Sequence, residues 1–188
     1  MRLKKDWECN TPTGGVTLVG AFPLELDWGI LKSVLQERGL RRDALNFLSI
    51  SLHTPKWDAS LDDCSAAEVE EGVAKVRKQL RLLRPSVVVA FGNEAAWALV
   101  PNSWPTGSSR GRYTFGGPIQ DATGVEELRG FVFDSPFVDA PVVVTVAPTF
   151  VQKSYTPWRV LLSLDMQRAK EIAKKGMKRP LRRVEVVE

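Results

Sequence analysis

The sequence predicts an α/β protein: a single-domain, three-layer sandwich whose central sheet is mostly parallel. Three observations carry this. Residues 87–91, Val87-Val88-Val89-Ala90-Phe91, form an apolar run bounded by Pro85 and Gly92, which is how a strand buried on both faces reads. Residues 142–146, Val142-Val143-Val144-Thr145-Val146, repeat that plan. Helical patterns alternate with the predicted strands along the chain, and that alternation argues for a parallel sheet covered on both faces.

The elements follow in order. Residues 1–14 are an irregular lead-in containing Pro12 and Gly14. Residues 16–22 read as the first strand, ended by Pro23. Residues 28–38 fit an amphipathic helix with Ile30, Leu31, Val34 and Leu35 on one side and Gly39 as its stop. Residues 47–52 are a second strand and 55–64 a loop. Ser65-Ala66-Ala67-Glu68 has the spacing of a capping box, so a helix runs from there to about residue 83. After strand 87–91, Gly92 permits a sharp turn into a helix begun by Asn93-Glu94 and ending near residue 100. Residues 101–118 are a loop dense in Pro, Gly, Ser and Arg. Residues 131–133 suit a short strand. Strand 142–146 is followed by a loop and a last helix over 158–174.

The 188 residues suffice for one domain with a sizeable core, and a hydrophobic fraction of 44% is ordinary for a globular protein. No apolar run approaches the ~20 residues that span a bilayer. The N-terminus is basic but lacks the apolar stretch of a signal peptide, so the expectation is a cytoplasmic protein without membrane contact. Cys9 and Cys64 are the only cysteines and make neither a disulfide framework nor a zinc site. The net charge of +4 is uneven. Lys170, Lys174, Lys175, Lys178, Arg179, Arg182 and Arg183 face Glu171 alone, which leaves the rest of the chain slightly acidic. Such a tail suits phosphate contact, and equally suits a solvated helix end.

In an open parallel sheet, ligands bind beyond the carboxyl ends of the strands. Four such ends are readable: Gly20-Ala21-Phe22-Pro23, Leu52-His53-Thr54-Pro55, Phe91-Gly92-Asn93 and Ala147-Pro148-Thr149-Phe150. Ala21, Phe22, Trp28, Ser49, His53 and Ala147 should therefore converge on one crevice.

The strand–helix unit Leu83-Arg84-Pro85-Ser86-Val87-Val88-Val89-Ala90-Phe91-Gly92-Asn93-Glu94-Ala95-Ala96, the strand end Ala147-Pro148-Thr149, and Leu164-Asp165-Met166-Gln167-Arg168-Ala169 together resemble the uracil-DNA glycosylase superfamily. The resemblance covers roughly residues 16–170 and is most specific in the third and fourth strand units. It implies a domain over residues 15–175, followed by a basic tail over 176–188. It also implies a job: reading one base flipped out of single- or double-stranded DNA.

Breaking an N-glycosidic bond leaves a cationic sugar and an anionic base. A polar group must hold water near the sugar, and a donor must face the base oxygen that gathers charge. The resemblance assigns these tasks to a loop after the first strand and to a histidine after the last. Here those positions hold Ala21 and Ala147, and the place of a base-reading asparagine on the second strand holds Ser49, with Asn46 three residues too early. The resemblance further implies a base pocket from Gly20, Phe22, Pro23, Trp28 and Ser49, with Trp28 either stacking on the base or packing as core. It implies DNA contacts from the Arg110-Gly111-Arg112 loop and from Lys153, Tyr155 and Arg159. Glu25, Asp27 and His53 are candidate substitutes for the missing groups, against plainer roles as solvated carboxylates and a structural imidazole. Some relatives hold an iron–sulfur cluster with four cysteines. Cys64 lies near one of those positions, but two thiols are too few, so no cofactor or metal is expected.

Three readings stand. The first is a DNA-binding protein with an altered or silent excision site, serving replication or repair beside a partner protein. The second is an active glycosylase for uracil or a modified base, or an inactivated variant of one, since alanine is the usual replacement for a catalytic residue. The third is an open-sheet protein that binds a nucleotide or a protein without DNA.

Overall fold

The computed structural model describes residues 14–23, 28–51, 64–100, 125–153 and 157–175. The lead-in before Gly14 and the tail over 176–188 lie outside them. The sheet has five strands: β1 (Val16–Gly20), β2 (Leu45–Ser49), β3 (Val87–Phe91), β4 (Val132–Phe133) and β5 (Val142–Thr145), in the order β2-β1-β3-β5-β4. β1 pairs in parallel with β2 and β3, and β3 pairs in parallel with β5. β4 alone is antiparallel, a two-residue edge strand on β5. The four long predicted strands are therefore neighbours, with β3 at the centre.

Alternation along the strands divides the core into two layers. Val19, Val88, Ala90, Val142 and Val144 face α2 (Ala66–Leu83) and α3 (Gly92–Leu99). Leu18, Val87, Val89, Phe91 and Val143 face α1 (Trp28–Glu37) and α6 (Pro157–Lys175). All five residues of β3 are buried, as a central parallel strand requires. Two short α-helices, α4 (Val125–Leu128) and α5 (Pro148–Lys153), and a 3-10 turn at Arg42–Ala44 complete the elements among the described residues.

Local chemistry sets the boundaries. Ser65 caps α2 by a full capping box: Ser65 Oγ accepts from the Glu68 N–H at 3.3 Å, and Glu68 Oε2 accepts from the Ser65 N–H at 2.8 Å. The helix ends at Arg84, which adopts a left-handed conformation (φ 45°) ahead of Pro85. Gly72 lets α2 approach the sheet: a Cβ there would stand 2.0 Å from the Ile50 carbonyl oxygen.

Several predicted boundaries shift, the end of β5 among them, at Thr145 rather than 146. β1 stops at Gly20 rather than at 22, because the chain bends through Ala21 and Phe22. β2 begins at Leu45 and ends at Ser49 instead of covering 47–52, since its register on β1 opposes Leu45 to Val16 and Ser49 to Gly20. The loop expected after residue 147 contains α5. Its first residue is Pro148, whose missing N–H and fixed φ suit a first helical position, and the Val151 N–H donates to the Ala147 carbonyl at 3.3 Å.

No helix among the described residues is long and apolar enough to cross a membrane.

Candidate functional site at the carboxyl edge of the sheet

Parallel pairing puts the carboxyl ends of β1, β2, β3 and β5 on one edge. Gly20 lies opposite Ser49, and the Ile50 N–H donates to the Gly20 carbonyl at 3.1 Å. One step on, the Ser51 N–H donates to the Ala21 carbonyl at 2.8 Å. On the other side of β1, β3 ends at Phe91 and turns at Gly92 (φ +79°) directly into α3. A Cβ built on Gly92 would stand 3.3 Å from the Ala147 Cβ, so the β3 and β5 ends touch there. Gly20 and Ala21, then Gly92, then Ala147 thus close three adjacent strands with the smallest side chains available.

Around this floor, Ala21 and Phe22 are half-buried and pack on the α2/α3 layer, while Pro23 is buried. Ser49 is half-buried at the last position of β2, and Trp28 opens α1. Cys64 is buried at the same edge, with its thiol 3.8 Å from the Ser51 hydroxyl. Asn46 sits elsewhere: it opposes Thr17 near the start of the strands, donates from Nδ2 to Thr17 Oγ1 at 3.4 Å, and has no hydrogen-bond partner for its Oδ1. Glu25, Asp27, His53, Arg110, Gly111, Arg112 and Tyr155 lie outside the described residues. Lys153 is the last residue of α5. Arg159, in the first turn of α6, is engaged with α1: it donates to the Glu37 carboxylate and, at 3.4 Å, to the Ser33 hydroxyl. Contact with a phosphate would require this pair to open. No group of three or more His, Cys, Asp or Glu side chains able to hold a metal occurs among the described residues.

Sequence reasoning passed over three features. Glu94, read only as a helix starter, is half-buried in the first turn of α3. Its Oε2 would lie 3.5 Å from a Gly92 Cβ, so the carboxylate and the Ala147 methyl flank the same bare Cα. Asn93 Oδ1 accepts from the Val125 N–H at 2.9 Å, which brings the chain back to this edge as α4 begins. Asp165 is a buried carboxylate on α6 whose Oδ2 accepts from the Thr145 hydroxyl at 2.7 Å, with Arg129 Nη1 3.7 Å from Oδ1. Burial holds its carboxyl above the usual carboxylate range, against the opposing pull of the Thr145 hydrogen bond, Arg129 and Arg168. The motif around Asp165 was visible in the sequence, but its partner Thr145 was not.

A shallow cavity of about 460 Å³ lies away from this edge, lined by Arg81, Asp134, Ser135, Phe137 and Asp139. It contains none of the predicted site residues.

A search of curated proteins returns no match to this sequence. The family model of the uracil DNA glycosylase superfamily matches residues 28–162, from the first residue of α1 into α6. That span takes in three of the four strand ends at this edge, those of β2, β3 and β5. With the parallel order β2-β1-β3-β5 and its edge of small residues, the match shows that the chain belongs to the uracil-DNA glycosylase superfamily.

Proposed function

We propose that this chain binds DNA and receives an extruded base at the carboxyl edge of its sheet, with uracil excision absent or very weak. One observation carries the reading. Ala21 follows β1 and Ala147 follows β5 at the same edge of the sheet, on either side of β3, and each offers only a methyl where the resemblance expects a polar group. Loss of a donor aimed at developing negative charge typically costs about 3–4 kcal/mol of transition-state stabilisation. Loss of a group orienting water costs on the order of a hundredfold or more. Among the described residues the strand ends carry small side chains, Gly20, Ala21, Gly92 and Ala147, so recognition can outlast chemistry. Arg110, Arg112, Lys153, Tyr155, Arg159 and the basic tail are the proposed backbone contacts, in a cytoplasmic recognition factor for replication or repair.

The test is base release from uracil-containing single- and double-stranded oligonucleotides, run beside a binding titration on the same substrates. Binding without release supports the proposal. Efficient release overturns the silent site and directs attention to Glu25, Asp27 and His53. Absence of DNA binding overturns the reading altogether.

A further inference from the structure

At the amino ends of the strands, Val16, Leu45 and Val87 lie side by side in register. α1 ends at Glu37, and residues 38–44 lead through the 3-10 turn at Arg42–Ala44 directly into Leu45, so this connection lies at the amino edge of the sheet. α6 comes to the same edge. Lys170 Nζ donates to the Arg38 carbonyl and would stand 3.3 Å from a Gly39 Cβ. Ile172 is buried in the layer that holds Val16, Leu45 and Val87. The last turn of α6 therefore ends beside the connection from α1 to β2.

Both segments are basic. Residues 38–43 hold Arg38, Arg41 and Arg42 against Asp43, and residues 170–175 hold Lys170, Lys174 and Lys175 against Glu171. Arg38 and Lys170 brace the junction, Arg38 Nε donating to Ser163 Oγ at 2.7 Å. Arg41, Arg42, Lys174 and Lys175 are exposed. Arg41 pairs with Asp43 at 2.5 Å, but with 81% and 65% of the two side chains in solvent the pair is weak and exchanges readily for a phosphate. The dipole of α6 accounts for Lys174 and Lys175 in its last turn. It does not account for Arg41 and Arg42, which belong to no α-helix. In chain order Lys178, Arg179, Arg182 and Arg183 follow. The exposed large apolar side chains among the described residues, Leu82, Phe131, Val160 and Leu164, all fall outside the two segments. The surface thus lacks the apolar face with which a helix enters a membrane interface.

We propose that the amino edge of the sheet carries a DNA-backbone surface, separate from the carboxyl edge proposed to receive a base. Arg41, Arg42, Lys174 and Lys175 form it, and the cations after residue 175 extend it. Such contacts bind phosphates without reading sequence. The proposal stands without the base-receiving role, because it needs only paired DNA.

The test uses the full chain and a fully paired duplex without uracil, with dissociation constants read by fluorescence anisotropy over a series of salt concentrations. Arg41→Gln with Lys174→Gln removes one cation from each segment. Lys75→Gln with Lys78→Gln removes the same charge from exposed positions of α2. The log–log salt slope should shallow by about two units in the first variant and keep its wild-type value in the second. Equal slopes in the two variants overturn the proposal, as does a wild type that does not bind the paired duplex. Wild-type binding to phosphatidylserine vesicles without binding to the duplex overturns it in favour of a membrane surface. A duplex with one unpaired uracil, titrated alongside, keeps the two edges apart. Its gain in affinity over the paired duplex should survive Arg41→Gln with Lys174→Gln, and loss of that gain in the variant overturns the separation of the surfaces. If the wild type shows no gain, the base-receiving reading fails while the slope change still decides this one.

Discussion

The Thr145 hydroxyl donates a 2.7 Å hydrogen bond to the Asp165 carboxylate, joining the last residue of β5 to the middle of α6. Arg129 approaches the other carboxylate oxygen, and the turn at Arg129-Gly130 docks on β5 through the Gly130 N–H and the Val144 carbonyl at 2.9 Å. Burial raises the Asp165 pKa above its ordinary value of 3.8. The folded protein therefore keeps this proton to higher pH than the unfolded chain does. The resulting stabilisation is full below the unfolded value and is lost as pH rises through the folded one. Asp165→Asn retains an acceptor for Thr145 and removes the titration. Urea unfolding across a pH series should show wild type losing stability relative to Asp165→Asn from about pH 4 upward. A difference that moves the other way refutes the assignment.

Restoring the missing polar groups should restore chemistry. Ala21→Glu with Ala147→His is expected to raise uracil release well above that of the unmodified chain, since one oxyanion donor is worth about a hundredfold or more. Single-turnover release from a uracil oligonucleotide measures it. If the double replacement leaves release at background while DNA binding persists, the crevice has been kept for recognition alone.

DNA affinity should depend on salt. Each phosphate contact removed is expected to shallow the log–log salt slope by about one unit. Titrations of Arg110→Ala combined with removal of residues 174–188 test this. An unchanged slope would show that neither the loop nor the tail touches the backbone.

Two substitutions on α2 should separate a cap from a steric contact. Ser65→Ala removes one side of the capping box and is expected to cost about 1 kcal/mol. Gly72→Ala forces a methyl against the Ile50 carbonyl, 2.0 Å away before any relaxation. It must push α2 off the end of β2, at a cost of roughly 3 kcal/mol or more. Denaturant midpoints rank the two, and equal effects would deny the close approach.

Gly92→Ala should destabilise by about 1–2 kcal/mol through its positive φ, with further crowding from the Ala147 methyl. Because the strain sits at the strand-end edge proposed to receive a base, the same variant should also weaken binding to unpaired bases. Calorimetry and anisotropy on one preparation check both effects.

The strands were readable because their burial is two-sided. A run such as Val87-Val88-Val89 has no polar face to confuse with a surface element. The start of α2 was readable because a capping box is local and needs only four consecutive residues. β2 was misplaced by two residues at its start because register belongs to the partner strand: Leu45 is a strand residue by virtue of Val16. α5 was missed because Pro148-Thr149 reads as a loop until Pro148 is seen at a first helical position. The polar features of the site were the least legible. Thr145 and Asp165 are twenty residues apart, and Glu94 meets Ala147 only through a bare glycine between two strands.

The three strand ends differ in how much connecting chain they carry. β3 passes into α3 with no residue between Phe91 and Gly92, and β5 reaches α5 through residues 146–147 alone. A hinge needs residues whose φ and ψ can absorb a rotation. Neither corner has them, so this side of the carboxyl edge is fixed. β1 reaches α1 through residues 21–27, the longest of the three connections. The corners after β3 and β5 therefore hold Glu94 and Ala147 over the Gly92 Cα at one geometry for as long as the sheet is intact.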